Sequence, residues 1–448
     1  MSGVPGVRAI RAALAAAGLA AALPRPGAGQ GATPQGRLEE RVTSSTDTSQ
    51  TFALYLPPGY TAERRWPVLF VLDPRGRALV ALDLFRGAAA RLGWIVMSSY
   101  NTLSDAPADP NLSAMDAMLV SAQARLAIDP ARLYLAGFSG TARVALRLAV
   151  ALRGHVAGVI AVGGAIGFEL GGPETMFAGD STFGYFGAAG TRDFNYEEVL
   201  ALGGRFRTTR VPFRVVAFEG PHSWPPASIC GDALDWLELR AMRAGRRPVD
   251  SGWVRIQLEA EIARATELDR IGRWEEALWL DEAIARDYAG WPEAGAVAAR
   301  AAALRSTPAV ARYESEAQRL AERDQRQGLG LPKILSWARS QREPPAVETL
   351  TRKLHVSELE RAAERGDSLE AASARRMLAR ILVHLAFYEP RAYLANGSPG
   401  RALRMFEAAT RIGPIQGEAC GLLREALATA SAEQRARLAG QCPPGARP

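Results

Sequence analysis

Between positions 51 and 245, short apolar runs rich in β-branched and aromatic residues alternate with segments of helical periodicity, and few architectures accommodate that alternation. The predicted strands are Thr51–Leu56, Pro67–Leu72, Trp94–Ser98, Leu133–Gly137, Val156–Val162, Gly184–Ala188 and Phe213–Phe218. Predicted helices cover Ala78–Leu92, Ala114–Leu126, Thr141–Leu152, Tyr196–Phe206 and Ala227–Ala244. Successive strand-helix-strand units of this kind close into an α/β domain, a doubly wound and mainly parallel sheet. Ligands bind such sheets beyond the carboxyl ends of the strands, so the residues just after each strand carry the functional question.

Past Gly245 the strand-like runs stop, and Ala, Glu, Arg and Leu recur at helical spacing as far as Leu438. The chain therefore reads as an α/β domain over 33–245 and an all-α domain over 246–448, joined near Arg246 to Ser251, with a further interruption expected between Ser306 and Pro345. Tyr393, Gly397, Ala402, Phe406, Ala409 and Pro414 fall at the offsets of a tetratricopeptide helix-turn-helix, although Pro390 would sit inside its first helix. A weaker echo runs from Gly272 through Ala277 to Pro292.

At the other end, Arg8 and Arg11 precede an apolar run from Ala12 to Leu23, followed by Pro24 and Pro26. This is the layout of a signal peptide, with cleavage expected between Leu23 and Thr33 and a leader of residues 1–32, which implies export to the periplasm or medium. The run is about half of the roughly 20 residues that a membrane span requires, so no stable membrane span is expected. The formal charge of +7 comes from dispersed arginines, with Lys333 and Lys353 the only lysines, and that pattern does not point to nucleic acid. Of the three cysteines, Cys420 and Cys442 could close a loop in an oxidising compartment, a matter that spacing leaves open, and Cys230 reads as a buried thiol. No histidine or cysteine stands at metal-ligand spacing, and phosphate- or dinucleotide-binding loops are absent, so neither a metal nor a cofactor is expected.

Leu133 to Ala136 reads as a strand and Thr141 onward as a helix, so Gly137-Phe-Ser-Gly140 must turn sharply between them. Such a turn holds Ser139 in an unfavourable backbone conformation and exposes its hydroxyl at a helix N-terminus, where free N–H groups stabilise an oxyanion. The fifth position of the Gly-x-Ser-x-Gly pattern is Thr141, a departure. A serine nucleophile needs a base. The chain has four histidines: His355 and His384 lie in the helical half, His155 stands before a strand, and His222 directly follows the last strand. The carboxylate that would orient it is Asp193, in the loop after Gly184–Ala188, with Asp180 and Glu219 as competitors and a helix N-cap as the plainer explanation.

On the Thr51-Phe-Ala-Leu-Tyr-Leu-Pro-Pro-Gly-Tyr60 opening, the Val68-to-Gly76 strand and loop, the serine turn, Gly190-Thr-Arg-Asp-Phe-Asn195 and Gly220-Pro-His-Ser-Trp-Pro225, the region from Thr51 to Trp224 resembles the α/β-hydrolase superfamily, and within it bacterial esterases. The resemblance implies an oxyanion hole made by the backbone N–H of Gly140 and one from the loop after Leu72, taken as Arg75, although Asp73-Pro-Arg-Gly76 replaces the family's common His-Gly run. Phe138, Tyr100 and Trp224 are expected to contact substrate. The expected reaction is hydrolysis of a small-molecule or polymer-borne ester, and acyl transfer or peptide cleavage by the same triad fits equally. The rival is a non-catalytic binding protein in which a degenerate hydrolase domain supports a helical surface for a protein partner.

Overall fold

The computed structural model describes residues 10, 36–104, 110–166, 183–438 and 440–442. The expected signal peptide and the competitor Asp180 lie outside the described residues.

Eight strands form one sheet: β1 (Arg37–Thr43), β2 (Thr51–Leu56), β3 (Trp66–Leu72), β4 (Ile95–Ser99), β5 (Ile128–Phe138), β6 (Val156–Val162), β7 (Gly184–Gly190) and β8 (Phe213–Phe218). Their order is β1-β2-β4-β3-β5-β6-β7-β8. The first two pairings, β1 with β2 and β2 with β4, are antiparallel, and the rest are parallel. The helices α1 (Ala78–Leu92), α2 (Asn111–Arg125), α3 (Gly140–Ala151), α4 (Tyr196–Phe206) and α5 (Ala227–Arg243) fill the connections. This is the α/β-hydrolase arrangement. The parallel strands β3, β6 and β7 are buried at every residue, as expected where helices cover both faces of a sheet. One core layer joins Val68, Phe70, Leu135, Leu146 and Val159, and the other joins Leu69, Val71, Phe85, Tyr134 and Leu237.

Among the described residues the remaining elements are helical: α6 (Ser251–Arg270), α7 (Trp274–Asp287), α8 (Pro292–Arg305), α9 (Pro308–Ser340), α10 (Val347–Lys353), α11 (Val356–Ala363), α12 (Leu369–Val383), a π-turn (His384–Tyr388), α13 (Glu389–Ala395), α14 (Pro399–Ala409), α15 (Glu418–Leu427) and α16 (Ala432–Leu438). By compactness the chain divides into one unit of residues 1–191 and 195–307 and a second of 192–194 and 308–448.

In the first unit α6, α7 and α8 join the sheet. Val254, Leu258, Ile284, Tyr288 and Val297 share a core cluster with Leu239 and Met242 of α5. A buried ionic knot supports that packing. Arg214 of β8 donates through Nε and Nη2 to Asp287 Oδ2 at 3.0 and 2.8 Å and through Nη1 to Glu261 Oε1 at 2.8 Å. Trp236 Nε1 of α5 donates to the same Asp287 oxygen at 3.0 Å.

In the second unit the interruption expected between Ser306 and Pro345 is confined to its two edges. Between them runs the single 33-residue helix α9, which accommodates Pro332 in its interior. Pro390 lies in the first turn of α13, directly after the π-turn, where its missing N–H costs little. Gly397, with φ of 65°, opens the turn into α14, and Ala402, Phe406 and Ala409 are fully buried. Cys420 and Cys442 form a disulfide with a Cα separation of 5.7 Å. No helix is long and apolar enough to cross a membrane among the described residues.

Candidate active site

Strand β5 lies between β3 and β6, and its last residue, Phe138, delivers the chain directly into Ser139 and α3. Ser139 has φ of 56° and ψ of −125°, a region that side chains other than glycine's rarely occupy. Its backbone is fixed on both sides, the N–H donating to Val162 O at 2.8 Å and the carbonyl accepting from Ala142 at 3.1 Å. Close approach explains the flanking glycines. A Cβ on Gly137 would stand 2.4 Å from Thr141 O, and one on Gly140 would stand 2.4 Å from Ser104 Cβ.

Thr141, the departure from the usual pattern, is fully buried, with its hydroxyl in hydrogen-bonding reach of both the Leu72 and Phe138 carbonyls. One hydroxyl proton serves one of them at a time, yet either bond ties the serine turn to itself or to the end of β3. The residue that looked like a defect is a strut.

His222 stands in the loop between β8 and α5, and its Nε2 lies 2.9 Å from Ser139 Oγ. Its ring packs on Phe138 at a centroid distance of 4.7 Å, and Trp224 packs on the same Phe138 at 5.7 Å. Of the three expected substrate contacts, Phe138 and Trp224 therefore border the histidine. Tyr100 is committed elsewhere: its hydroxyl donates to Glu40 O at 2.7 Å, and the Arg41 guanidinium lies 4.0 Å from its ring centroid.

Asp193 is fully buried in the loop after β7. Its neighbours in sequence are anchored on both sides. Thr191 donates its N–H to Phe218 O at 2.8 Å and its hydroxyl to Glu219 Oε2 at 3.0 Å, while Asn195 Nδ2 donates to Gly163 O at 2.8 Å. Glu219, the competitor, is exposed and engaged by Thr191. The N-cap residue of α4 is Asn195, so capping does not account for Asp193.

Gly140 opens α3, as an oxyanion donor should. Arg75 corrects the expectation made for it. Its N–H donates to Asp73 Oδ1 at 2.9 Å, because a wholly buried carboxylate at the end of β3 gathers the donors of the turn that follows. Thr102 adds a bond from its hydroxyl to Asp73 O at 2.7 Å, and Ser104 donates its N–H to Pro74 O at 3.0 Å, which brings the segment after β4 over the same turn. Asp73 and Ser104 were not among the residues expected at the site. A charged residue ending a buried strand was the one available sign of Asp73, whereas Ser104 left none. Cys230 is buried in α5, and burial pushes its thiol well above the usual range, as an inert structural cysteine requires. Among the described residues no cluster of His, Cys, Asp or Glu could hold a metal ion.

No family model matches the chain, and no curated protein matches it. Solved structures similar to it include an S-formylglutathione hydrolase from Staphylococcus aureus (13% identity, 48% of this chain and 99% of that one, TM-score 0.35). Another is an S-formylglutathione hydrolase from Agrobacterium tumefaciens (16% identity, 48% and 99%, TM-score 0.36). A third is an esterase from Pyrobaculum calidifontis (14% identity, 55% and 94%, TM-score 0.35).

Proposed function

We propose that this protein is a serine hydrolase that cleaves carboxylic esters through an acyl-enzyme. The observation that carries the reading is the 2.9 Å approach of His222 Nε2 to Ser139 Oγ, with the serine strained at the carboxyl end of a central strand. In this reading His222 takes the hydroxyl proton as Ser139 attacks the ester carbonyl. The tetrahedral oxyanion then meets the N–H of Gly140 at the positive end of α3. His222 returns the proton to the leaving alcohol, and a water activated in the same way frees the acid. Asp193 is assigned the role of orienting the imidazole and stabilising its protonated form. With the Arg75 N–H turned to Asp73, Gly140 is the one backbone donor we assign.

The test is labelling with a fluorophosphonate probe alongside turnover of p-nitrophenyl esters. The wild type should label and turn over, while Ser139→Ala should do neither, its rate falling roughly a millionfold. A folded wild-type chain that takes up no label, or a Ser139→Ala variant keeping a tenth of the activity, would sink the reading and favour the binding-protein alternative. We further propose export, supported by the basic-then-apolar leader and by the Cys420–Cys442 disulfide, a bond that persists in oxidising compartments. Cell fractionation with N-terminal sequencing checks this, and a chain found only in the cytoplasm and still beginning at Met1 would refute it.

A further inference from the structure

The loop that carries His222 has no helix or strand between Phe218 and Ala227, so side-chain contacts decide where the imidazole sits. Phe138 supports it from below. A further fixed point is Trp224, two residues on, whose ring meets Phe138 and, edge-on at 6.0 Å, Phe85 of α1. Its Nε1 donates to Asp73 Oδ2 at 2.8 Å.

Asp73 is equipped to hold that bond. A buried carboxylate must be paired, and five donors converge on this one. Oδ1 accepts from the N–H groups of Arg75 and Arg77 at 2.9 and 3.2 Å and from Arg77 Nε at 3.0 Å. Oδ2 accepts from Arg77 Nη2 at 2.9 Å and from Trp224. Burial works to raise the pKa of Asp73, but the bonds from Arg77, Trp224 and Arg75 outweigh it and hold the carboxyl below its ordinary range. Four of the five donors come from the turn after β3 and set its shape. The fifth reaches across 151 positions of sequence to the histidine loop.

We propose that Asp73 and Trp224 are a positioning pair: the bond from Trp224 Nε1 to Asp73 Oδ2 moors the His222 loop to the end of β3 and so keeps the imidazole on the Ser139 hydroxyl. The inference rests on the reading of Ser139 and His222 as nucleophile and base. It gives Trp224 a different part from a wall of the acyl pocket, because the indole N–H, and not the ring face, is the working group. A charge-assisted bond is among the stronger single contacts a loop can make, and catalytic geometry is unforgiving of small displacements.

The experiment uses the full chain, p-nitrophenyl acetate kinetics and the rate of fluorophosphonate labelling, on Trp224→Phe and Trp224→Leu. Trp224→Phe keeps an aromatic face and removes the N–H. It should lower kcat by about 10- to 100-fold, with KM within about threefold of wild type and the labelling rate reduced in step, as a misplaced base predicts. Trp224→Leu should be little worse. A Trp224→Phe variant with wild-type kcat, or one whose loss lies wholly in KM, overturns the proposal, since either result makes the ring a substrate wall. Should a Trp224 variant lose its native circular dichroism, Asp73→Asn gives the same comparison from the other partner. The double variant Asp73→Asn, Trp224→Phe should then be no slower than Asp73→Asn alone, and additive losses refute the pairing. Wild-type protein that fails to label removes the hydrolase reading and this inference together, whereas a labelled wild type beside an unimpaired Trp224→Phe removes the inference alone.

Discussion

Ser139 is held at φ of 56° and ψ of −125°, and that strain can be measured apart from the chemistry by comparing Ser139→Gly with Ser139→Ala. Both substitutions delete the hydroxyl and its 2.9 Å contact with His222, so that loss cancels between them. Alanine retains a Cβ and hence the strain, which for such a conformation costs about 1–3 kcal/mol. Glycine relieves it but loses more chain entropy on folding, about 0.5–1 kcal/mol. The difference leaves Ser139→Gly more stable than Ser139→Ala by up to about 2.5 kcal/mol. Urea unfolding followed by tryptophan fluorescence, with a slope of about 3 kcal/mol/M for a unit of this size, would read this as a midpoint shift of up to about 0.8 M. Both variants should be inactive. An alanine variant more stable than the glycine variant would show that the turn is unstrained and that the hydroxyl is not held in place by its backbone.

Two further outcomes follow from buried charge. Arg214→Met takes from Asp287, itself 1% exposed, the guanidinium that donates twice to its Oδ2 and leaves only the longer 3.7 Å pairing with Arg286, and should cost about 3–5 kcal/mol by urea titration; a loss under about 1 kcal/mol would mean that the knot between β8, α6 and α7 is incidental. Burial, followed by the nearby Arg380 and Arg339, pushes the pKa of His384 down from 6.5 to about 4. A depressed folded-state value favours the neutral ring, so the stability it contributes is present above pH 6.5 and fades as pH falls from there toward 4. Replacing it by phenylalanine should flatten the melting temperature over that window, and an unchanged pH profile would refute the assignment.

Much of this was legible in the amino-acid order, for definite reasons. Strands β2, β6 and β8 fall where their apolar runs place them, because short runs rich in β-branched and aromatic residues bounded by turn residues are a direct strand signal. Strand β1, Arg37–Thr43, was invisible: its sequence Arg-Leu-Glu-Glu-Arg-Val-Thr carries the charges of a sheet edge, and its pairing with β2 is irregular between Glu39 and Val42. The contact of Ser139 with His222 could be anticipated because strand ends are readable and histidines are scarce. The true partner of the Arg75 N–H could not, since it depends on where the Asp73 carboxylate turns once the chain has closed around it. The surroundings of Tyr100 were hidden for a similar reason, its hydroxyl meeting Glu40 O and its ring Arg41 on the unrecognised edge strand. The meeting of Cys420 with Cys442 is likewise a fact of three dimensions.

The order of strands in the sheet also sets when activity can appear. Ser139 and His222 are 83 positions apart and Asp73 and Trp224 are 151 apart, and β6 and β7 lie between β5 and β8. No local stretch of chain contains a working fragment. Pairings of such separation close slowly, so a refolding protein should regain its helices and much of its fluorescence before it regains turnover. On the proposed function, turnover is a late reporter: a sample that hydrolyses ester would have completed its sheet from β3 to β8, and a sample that merely looks folded has not yet shown that.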